Sequence, residues 1–179
     1  SQRLFAARRE RHPRAYLVRH GVDHAHFAKA VDRKLPRPET LRGIRGPIIG
    51  FIGLVQHWFD AKLMERVARR MRDVSFVIVG DCRIDVSRLK RLPNMHFTGR
   101  QPYDSLPAYC SAFDVGLIPF VRTSMTDNVN PIKLREYLAA GLPVVSTNLP
   151  EVRPYAPDVA AIDGVDGFVQ ACRKALAAS

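Results

Sequence analysis

A short polar run ahead of a predicted helix carries the most chemistry in this sequence. Asn128, Asn130, Lys133 and Glu136 fall within one stretch that reads Asn-Val-Asn-Pro-Ile-Lys-Leu-Arg-Glu. Proline is favoured at the first position of a helix and asparagine just before it, so the run predicts a helix over residues 131–140 with Asn130 as N-cap. The free N–H groups at such a helix start bind anions, phosphates above all.

Lys133 has two open interpretations. At the third helical position its positive charge opposes the helix dipole, and a bound phosphate would reverse that penalty. Alternatively, Lys133 and Glu136 form an ion pair three residues apart, worth about 0.2–0.5 kcal/mol. The spacing alone favours the ion pair and leaves the phosphate contact open.

The elements that must position this helix follow a regular alternation. Apolar, strand-like runs occupy residues 48–55, 75–79, 95–98, 115–120, 144–146 and 159–162. Helical stretches occupy residues 61–72, 85–92, 105–113, 131–140 and 165–178. Such alternation is typical of parallel strands joined by helical crossovers, in a sheet covered on both faces. We therefore predict an α/β fold for residues 47–179: a doubly wound, Rossmann-like parallel sheet of about six strands, with ligands beyond the carboxyl ends of the strands.

The positive charge of the chain is concentrated in its first quarter. The 179 residues carry a net charge of +11, and residues 1–46 hold 12 basic and 4 acidic side chains, a net of +8. We predict a basic helix over residues 2–11, a strand over 14–19 and a short helix capped by Asp23. The anionic neighbour of this basic segment is either an acidic face of missing protein or anionic lipid, because no nucleic-acid-binding motif occurs. The serine at position 1 predicts a processed or truncated terminus.

Several function classes are disfavoured. No apolar run approaches the roughly 20 residues of a membrane-spanning helix, and no signal peptide opens the chain. Three scattered cysteines indicate a reducing compartment rather than a disulfide scaffold or zinc ribbon. Neither G-x-G-x-x-G, a P-loop nor G-x-S-x-G occurs. His20, His24 and His26 lack the further converging ligands of a metal site, and we expect them to be solvated or packed.

A family resemblance rests on four stretches. NPIKLREYLAAGLPVVST, residues 130–147, resembles the C-terminal, donor-binding domain of retaining GT-B glycosyltransferases in the glycosyltransferase family 4 group, closest to the polysaccharide and teichuronic-acid type. YLVRHGVDHAHF resembles the segment that joins the two domains of those enzymes. GFIG with WFDAKLMERVARRMRDVSFVIVGD, and LPNMHFTGRQPYDSLPAYCSAFDVGLIPF, resemble the units between.

The resemblance implies a division of the chain and an activity. Residues 1–46 would be a remnant of the N-terminal acceptor domain plus linker, and residues 47–179 the nucleotide-sugar-binding domain. The implied reaction moves a sugar from a nucleoside diphosphate, UDP or GDP first, to a hydroxyl acceptor in polysaccharide or glycolipid biosynthesis, with retention and without a metal or other cofactor. The enzyme would be cytoplasmic, with an anionic membrane surface as an open alternative neighbour, and this chain alone inactive. Two other functions stay open: a non-catalytic nucleotide-binding or interaction module of the same fold, and a GT-B sugar-nucleotide epimerase.

The resemblance also implies roles around the predicted helix. Glu136 matches the second acid of the family's Glu-x7-Glu motif, which accepts hydrogen bonds from the nucleotide ribose. Asn128 stands where the first acid contacts the donor sugar. The backbone N–H groups of Val129, Asn130 and Ile132 would approach the diphosphate. Lys133 becomes its cation.

Further donor-site residues are implied in the loops after the strands. Gly53 and Leu54 follow the first strand, Gly80 follows the second, and Arg100 with Gln101 borders the base. The family usually carries Gly-Arg…Lys-Gly after the first strand, whereas this chain has GLVQHWFD. Lys133, Arg100 or Arg122 could replace those cations. Trp58 and Phe59 could stack on a ligand, although a contact between loop and helix is the commoner fate. No catalytic residue is implied.

Overall fold

The computed structural model describes residues 1–178 and contains one six-stranded parallel sheet in the order β3-β2-β1-β4-β5-β6. The strands are β1 (Ile48–Ile52), β2 (Ser75–Val79), β3 (Met95–Gly99), β4 (Val115–Ile118), β5 (Val144–Thr147) and β6 (Val159–Ile162). The helices are α1 (Gln2–Arg9), α2 (His24–Ala28), α3 (Ala61–Arg70), α4 (Ser87–Lys90), α5 (Leu106–Ala112), α6 (Ile132–Ala139) and α7 (Val165–Ala177). The predicted doubly wound α/β fold is confirmed.

Helices cover both faces of the sheet, so that its central strands are buried throughout. Every residue of β1, β2, β4 and β5 is buried. α3 packs with α4 and α7 in one layer, and α2 packs with α5 and α6 in the other. The strand order reverses between β1 and β4, which pair directly. The carboxyl ends of these two strands therefore form the switch point at which such sheets bind ligands.

Two glycines bring α5 and α6 close to the sheet at this point. A Cβ at Gly50 would lie 2.0 Å from the Phe113 ring, and one at Gly116 would lie 2.7 Å from the Tyr137 ring. The Tyr137 hydroxyl reaches the end of β1, where it accepts a hydrogen bond of 2.7 Å from the backbone N–H of Ile52. α6 is thus held against the last residue of β1.

The first 46 residues differ in part from expectation. Asp23 caps α2 as predicted, with its side chain accepting from the N–H of His26 at 3.0 Å. The predicted strand over residues 14–19 is wrong: Tyr16 and Val18 are 82% and 90% exposed. A single extended segment with no neighbouring strand cannot satisfy its backbone groups, so strand-forming residue types do not suffice there.

The segment that follows packs on the sheet domain. Phe27, Ala30 and Leu41 are buried in the same hydrophobic core as the strands. The Thr40 and Tyr109 hydroxyls are 2.6 Å apart in a hydrogen bond. The division at residue 46 stays a prediction, but residues ahead of it contribute to the core. Among residues 1–178, no helix combines the length and apolarity needed to cross a membrane.

Candidate functional site

Lys133 lies across the carboxyl end of β1. Gly53, the residue after β1, has a φ of +151°, and a Cβ there would lie 2.5 Å from Lys133 Cε and 3.5 Å from its Nζ. A side chain at position 53 would therefore collide with the lysine. The absence of one lets the Lys133 ammonium approach the switch point.

The loops after β1, β2 and β3 meet beside it. The N–H of Gly53 donates to Val79 O and that of Gly80 to Gly99 O, both at 2.8 Å. A Cβ at Gly80 would lie only 2.1 Å from the carbonyl oxygen of Gly53. Gly53 and Gly80 thus form a stretch of bare backbone at the ligand-binding edge, as close approach of a ligand to backbone requires.

Glu136 is a buried carboxylate with spare acceptor capacity. It is 8% exposed, and its Oε2 lies 3.7 Å from Lys133 Nζ, so the predicted ion pair is confirmed. Within residues 1–178 no hydrogen bond reaches this carboxylate, yet neither oxygen is sealed from solvent. A carboxylate offers acceptor lone pairs and no donor, so Glu136 suits a ligand that presents hydroxyl groups.

The start of α6 differs from the sequence prediction. The helix begins at Ile132, and Pro131 is the N-cap residue, without a side-chain cap. The prediction of Asn130 as N-cap is wrong, because the Asn130 amide is engaged elsewhere: it donates to Glu151 Oε2 at 2.7 Å and accepts from Arg135. Lys133 is consequently the second helical residue, and the N–H groups of the first turn have no side-chain acceptor.

Glu151 anchors this loop and was not predicted as a site residue. It is 5% exposed, and its Oε1 accepts from the backbone N–H of Gln2 at 2.6 Å. Arg135 donates to the Tyr155 hydroxyl at 3.0 Å. The only sequence feature that points to Glu151 is its place in the loop after β5. These contacts fix the Asn130 backbone and hold α1 beside it.

Asn128 has an unsatisfied oxygen. Its amide donates to Ser124 O at 2.7 Å, and Asn128 Oδ1 is a buried side-chain atom without a hydrogen-bond partner in the described part of the chain. Buried acceptors left unpaired are costly, so each one needs an explanation.

Two adjoining cavities, of about 300 Å³ and about 370 Å³, lie along this loop. The smaller is lined by Ser1, Leu4, Val18, Arg19, His20, Asn128, Val129 and Asn130. The larger is lined by His20, Trp58, Phe120, Met125, Thr126, Val129, Asn130, Pro131, Ile132 and Lys133. The structure thus brings together the predicted residues from Asn128 to Lys133, and adds His20, Trp58 and Phe120.

Other predicted residues lie apart from these cavities. Arg100 is exposed, Leu54 is 39% exposed, and Gln101 donates to Thr98 O at 2.9 Å. Arg122 donates to both oxygens of Asp127, at 2.5 and 3.2 Å. Those hydrogen bonds raise the pKa of Arg122 and lower the pKa of Asp127. The positive charge of Arg122 is therefore already balanced by the Asp127 carboxylate.

Nucleophilic and metal chemistry find little support near the helix. Burial, followed by the charge of Glu136, raises the pKa of Cys110 to about 12, which keeps this thiol neutral and unreactive. His26 is packed, stacking on the Tyr103 ring at a centroid distance of 4.5 Å. Residues 1–178 contain no group of three His, Cys, Asp or Glu side chains placed to hold a metal ion.

Comparison with known sequences gives consistent matches. A family model described as Glycosyl transferases group 1 matches residues 46–178. TuaH of Bacillus subtilis (strain 168), whose name describes a teichuronic acid biosynthesis glycosyltransferase, is 32% identical over 171 residues, which cover 91% of this chain and 43% of TuaH. The 2-deoxystreptamine glucosyltransferase of Streptomyces kanamyceticus is 32% identical over 134 residues, which cover 69% of this chain and 33% of that enzyme. The chain spans less than half the length of these curated relatives.

Comparison with solved structures gives the same fold. Anabaena Alr3699/HepE in complex with UDP-glucose superposes with a TM-score of 0.67 at 13% identity, covering 89% of this chain and 47% of that one. The fold of the domain is therefore shared even where the sequence has diverged.

Proposed function

The chain belongs to the group 1 glycosyl transferases, and from that premise we propose that it binds the nucleotide sugar for an enzyme that transfers the sugar to a hydroxyl acceptor. One observation carries the proposal. Glu136 is buried, accepts no hydrogen bond among residues 1–178, and faces Lys133 at the uncapped start of α6.

Glu136 binds the ribose of the nucleotide. A ribose diol has two hydroxyl donors, and the carboxylate is acceptor-only, so the pair forms charge-assisted hydrogen bonds. A buried charge that lacks hydrogen bonds is costly, which means that a bound diol repays part of its desolvation. The ion pair with Lys133 orients the carboxylate.

Lys133 and the first turn of α6 bind the diphosphate. The free N–H groups of Ile132 and Lys133 and the helix dipole favour an anion there. The Lys133 ammonium lies 3.7 Å from the Glu136 carboxylate and beside the bare backbone of Gly53. Val129 and Asn130 complete the loop, and Asn128 is placed beside the sugar. Together these groups stabilise the diphosphate as it leaves.

The base lies toward the loops after β1, β2 and β3. Leu54 and Gly80 form the near side, and Arg100 with Gln101 borders the far side. The Gln101 side chain is bonded to the Thr98 carbonyl, which supports a role in shaping that turn while backbone groups meet the base. UDP is the first nucleotide to test, since HepE was solved with UDP-glucose.

The remainder of the enzyme binds the acceptor. We propose residues 1–46 as a remnant of an N-terminal acceptor domain plus linker, and polysaccharide or glycolipid biosynthesis as the setting, with retention at the transferred carbon. The match to TuaH over less than half of its length supports this. The chain alone is then inactive. Three free cysteines favour a cytoplasmic enzyme, and the basic N-terminal segment favours a peripheral position at an anionic membrane face.

A non-catalytic nucleotide-binding or interaction module of the same fold is the second candidate, and the small number of cations at the site favours it. Among residues 1–178, Lys133 is the only lysine or arginine that lines the larger cavity and Arg19 the only one that lines the adjoining cavity, while Arg122 is bound to Asp127. A transferase needs cations to stabilise the leaving diphosphate, whereas a binding module needs fewer.

Calorimetric titration of the 179-residue chain with UDP, GDP, dTDP and CDP tests the nucleotide site, which a transferase and a nucleotide-binding module share and which an interaction module lacks. We expect one nucleotide to bind, and Glu136→Ala to weaken its binding by about tenfold or more, as loss of charge-assisted hydrogen bonds predicts. Glu39→Ala, which removes an exposed carboxylate, is the control and retains affinity. Absence of binding by all four nucleotides would contradict the transferase proposal.

A further inference from the structure

We propose that the larger cavity, between Trp58 and the first turn of α6, is the subsite for the sugar ring of the donor, and that the Trp58 indole is its platform. The inference rests on the proposed function. It adds a residue that recognises the sugar and not the nucleotide.

The cavity has the size and lining of a small-molecule site. Its volume of about 370 Å³ falls within the usual range for such sites. Most of its lining is apolar, with Trp58, Phe120 and Ile132 among the larger side chains, and its polar lining residues are His20, Thr126, Asn130 and Lys133. A pyranose likewise has both apolar and polar parts, because its C–H faces are apolar and hydroxyl groups surround its rim.

Trp58 is held on a rigid support. The N–H of Val121 donates to Trp58 O, and the N–H of Asp60 donates to Pro119 O, both at 2.7 Å. Between these bonds, Phe59 and Phe120 form a bridge that joins the loop after β1 to the end of β4. Phe59 is buried against the Phe51 ring at 5.1 Å. The loop that carries Trp58 is therefore clamped on both sides, as a preorganised binding surface requires.

The Trp58 side chain offers two interactions that a sugar can use. The negative face of the indole ring attracts the slightly positive C–H groups of a pyranose. Its Nε1–H is a donor only, and no hydrogen-bond partner for it occurs among residues 1–178. Met125 and Ile132, which also line the cavity, are 43% and 39% exposed. A sugar ring in the cavity would cover these apolar side chains and give the indole N–H an acceptor.

The place of the cavity favours the donor sugar over other occupants. In a nucleoside diphosphate sugar, the sugar is bonded directly to the second phosphate. Ile132 and Lys133, the proposed diphosphate contacts, line this same cavity. Asn128 lines the adjoining one. Residues 53–60 hold no lysine or arginine, so the Trp58 side of the cavity suits a neutral ring better than a second anion.

Trp58 reports on its own cavity, because it is the only tryptophan in the chain. Its fluorescence is followed while the 179-residue chain is titrated with UDP, UDP-glucose, UDP-galactose, UDP-N-acetylglucosamine, GDP and GDP-mannose. We expect at least one nucleotide sugar to change the emission more than its parent nucleotide and to bind more tightly. Identical emission and affinity for every sugar and its parent nucleotide would overturn the proposal.

Substitutions separate a sugar platform from a structural role. Trp58→Ala is expected to remove about three- to tenfold of the extra affinity for the nucleotide sugar, the range of one aromatic contact, and to leave the parent nucleotide unchanged. Trp58→Phe should retain part of the extra affinity for the nucleotide sugar. Tyr16→Ala, which removes an exposed aromatic side chain outside the cavity, should retain all of that extra affinity. Equal weakening of nucleotide and nucleotide sugar by Trp58→Ala contradicts the inference. Wild type that binds no nucleotide at all defeats the proposed function instead.

Discussion

Lys133 is the residue that dominates the electrostatics of the site. Its ammonium is 3.7 Å from the Glu136 carboxylate and its stem lies over Gly53. An isolated cation in the first turn of a helix opposes the dipole, and the acid one turn later offsets that only in part. A phosphate at the start of α6 would give the lysine a second anionic partner, so its contribution to ligand binding should exceed its contribution to folding.

Replacing Lys133 with alanine tests this balance. We expect nucleotide affinity to fall by about tenfold or more, because a charge-assisted hydrogen bond contributes about 1.5–3 kcal/mol. The melting temperature should fall by less than removal of one partner of a fully buried pair would cause, because Lys133 is 24% exposed, although the change leaves the Glu136 carboxylate without its cation. Calorimetry and thermal unfolding of the same preparations measure both. Lys62→Ala, an exposed lysine on α3, is the control, and unchanged affinity in Lys133→Ala would contradict the proposed phosphate contact.

At the scale of elements, α6 is positioned by Tyr137. Its ring packs on Gly116 of β4, and its buried hydroxyl accepts from the N–H of Ile52 at the end of β1. This single side chain therefore ties the helix that carries Lys133 and Glu136 to both strands of the switch point. The hydrogen bond also fixes the backbone just before Gly53.

Tyr137→Phe removes the acceptor while leaving the ring. The Ile52 N–H becomes a buried donor without a partner, and we expect the free energy of unfolding to fall by about 1–3 kcal/mol. Denaturant unfolding measures the loss. Tyr155→Phe, which deletes a half-buried hydroxyl bonded to Arg135, should cost less because Arg135 keeps its bond to Asn130. An equal or smaller loss for Tyr137→Phe would mean that the buried hydrogen bond does not hold α6.

The elements were predictable where local pattern and packing agree. Strands β2 and β6 have the predicted bounds. β2 is a buried parallel strand, and the edge strand β6 is likewise a short apolar run bounded by polar or turn residues. The Asn130 cap was not predictable, because the buried Glu151, 21 residues later, takes the Asn130 amide. Residues 14–19 have strand-forming types but no neighbour to pair with.

The site was predictable only where it is local. Asn128, Lys133 and Glu136 are close in sequence, so one helix start brings them together. The Trp58 platform depends on hydrogen bonds between the loops after β1 and β4, about 60 residues apart in the chain. Its aromatic residues could be noticed in the sequence, but not the cavity that they line.

At the scale of the whole molecule, the N-terminal segment falls into two parts of different character. Residues 1–21 are mostly exposed and contact the domain through few groups, such as the N–H of Gln2 on Glu151. From Val22 onward the chain packs on the core: Phe27 and Leu41 are fully buried, and α2 lies against α5 and α6. A folding unit that begins near residue 22 therefore differs from one that begins at residue 47.

Two truncations distinguish these units. Deleting residues 1–21 leaves Val22 and the Asp23 cap of α2, so we expect cooperative thermal unfolding with a small change in melting temperature. Deleting residues 1–46 removes Phe27 and Leu41, and loss of one such core side chain costs about 2–5 kcal/mol. Because domains are stable by only about 5–15 kcal/mol, the shorter fragment should lose its cooperative transition in circular dichroism. If both fragments melt alike, α2 and Leu41 are dispensable, and the domain begins where the sequence places it, at residue 47.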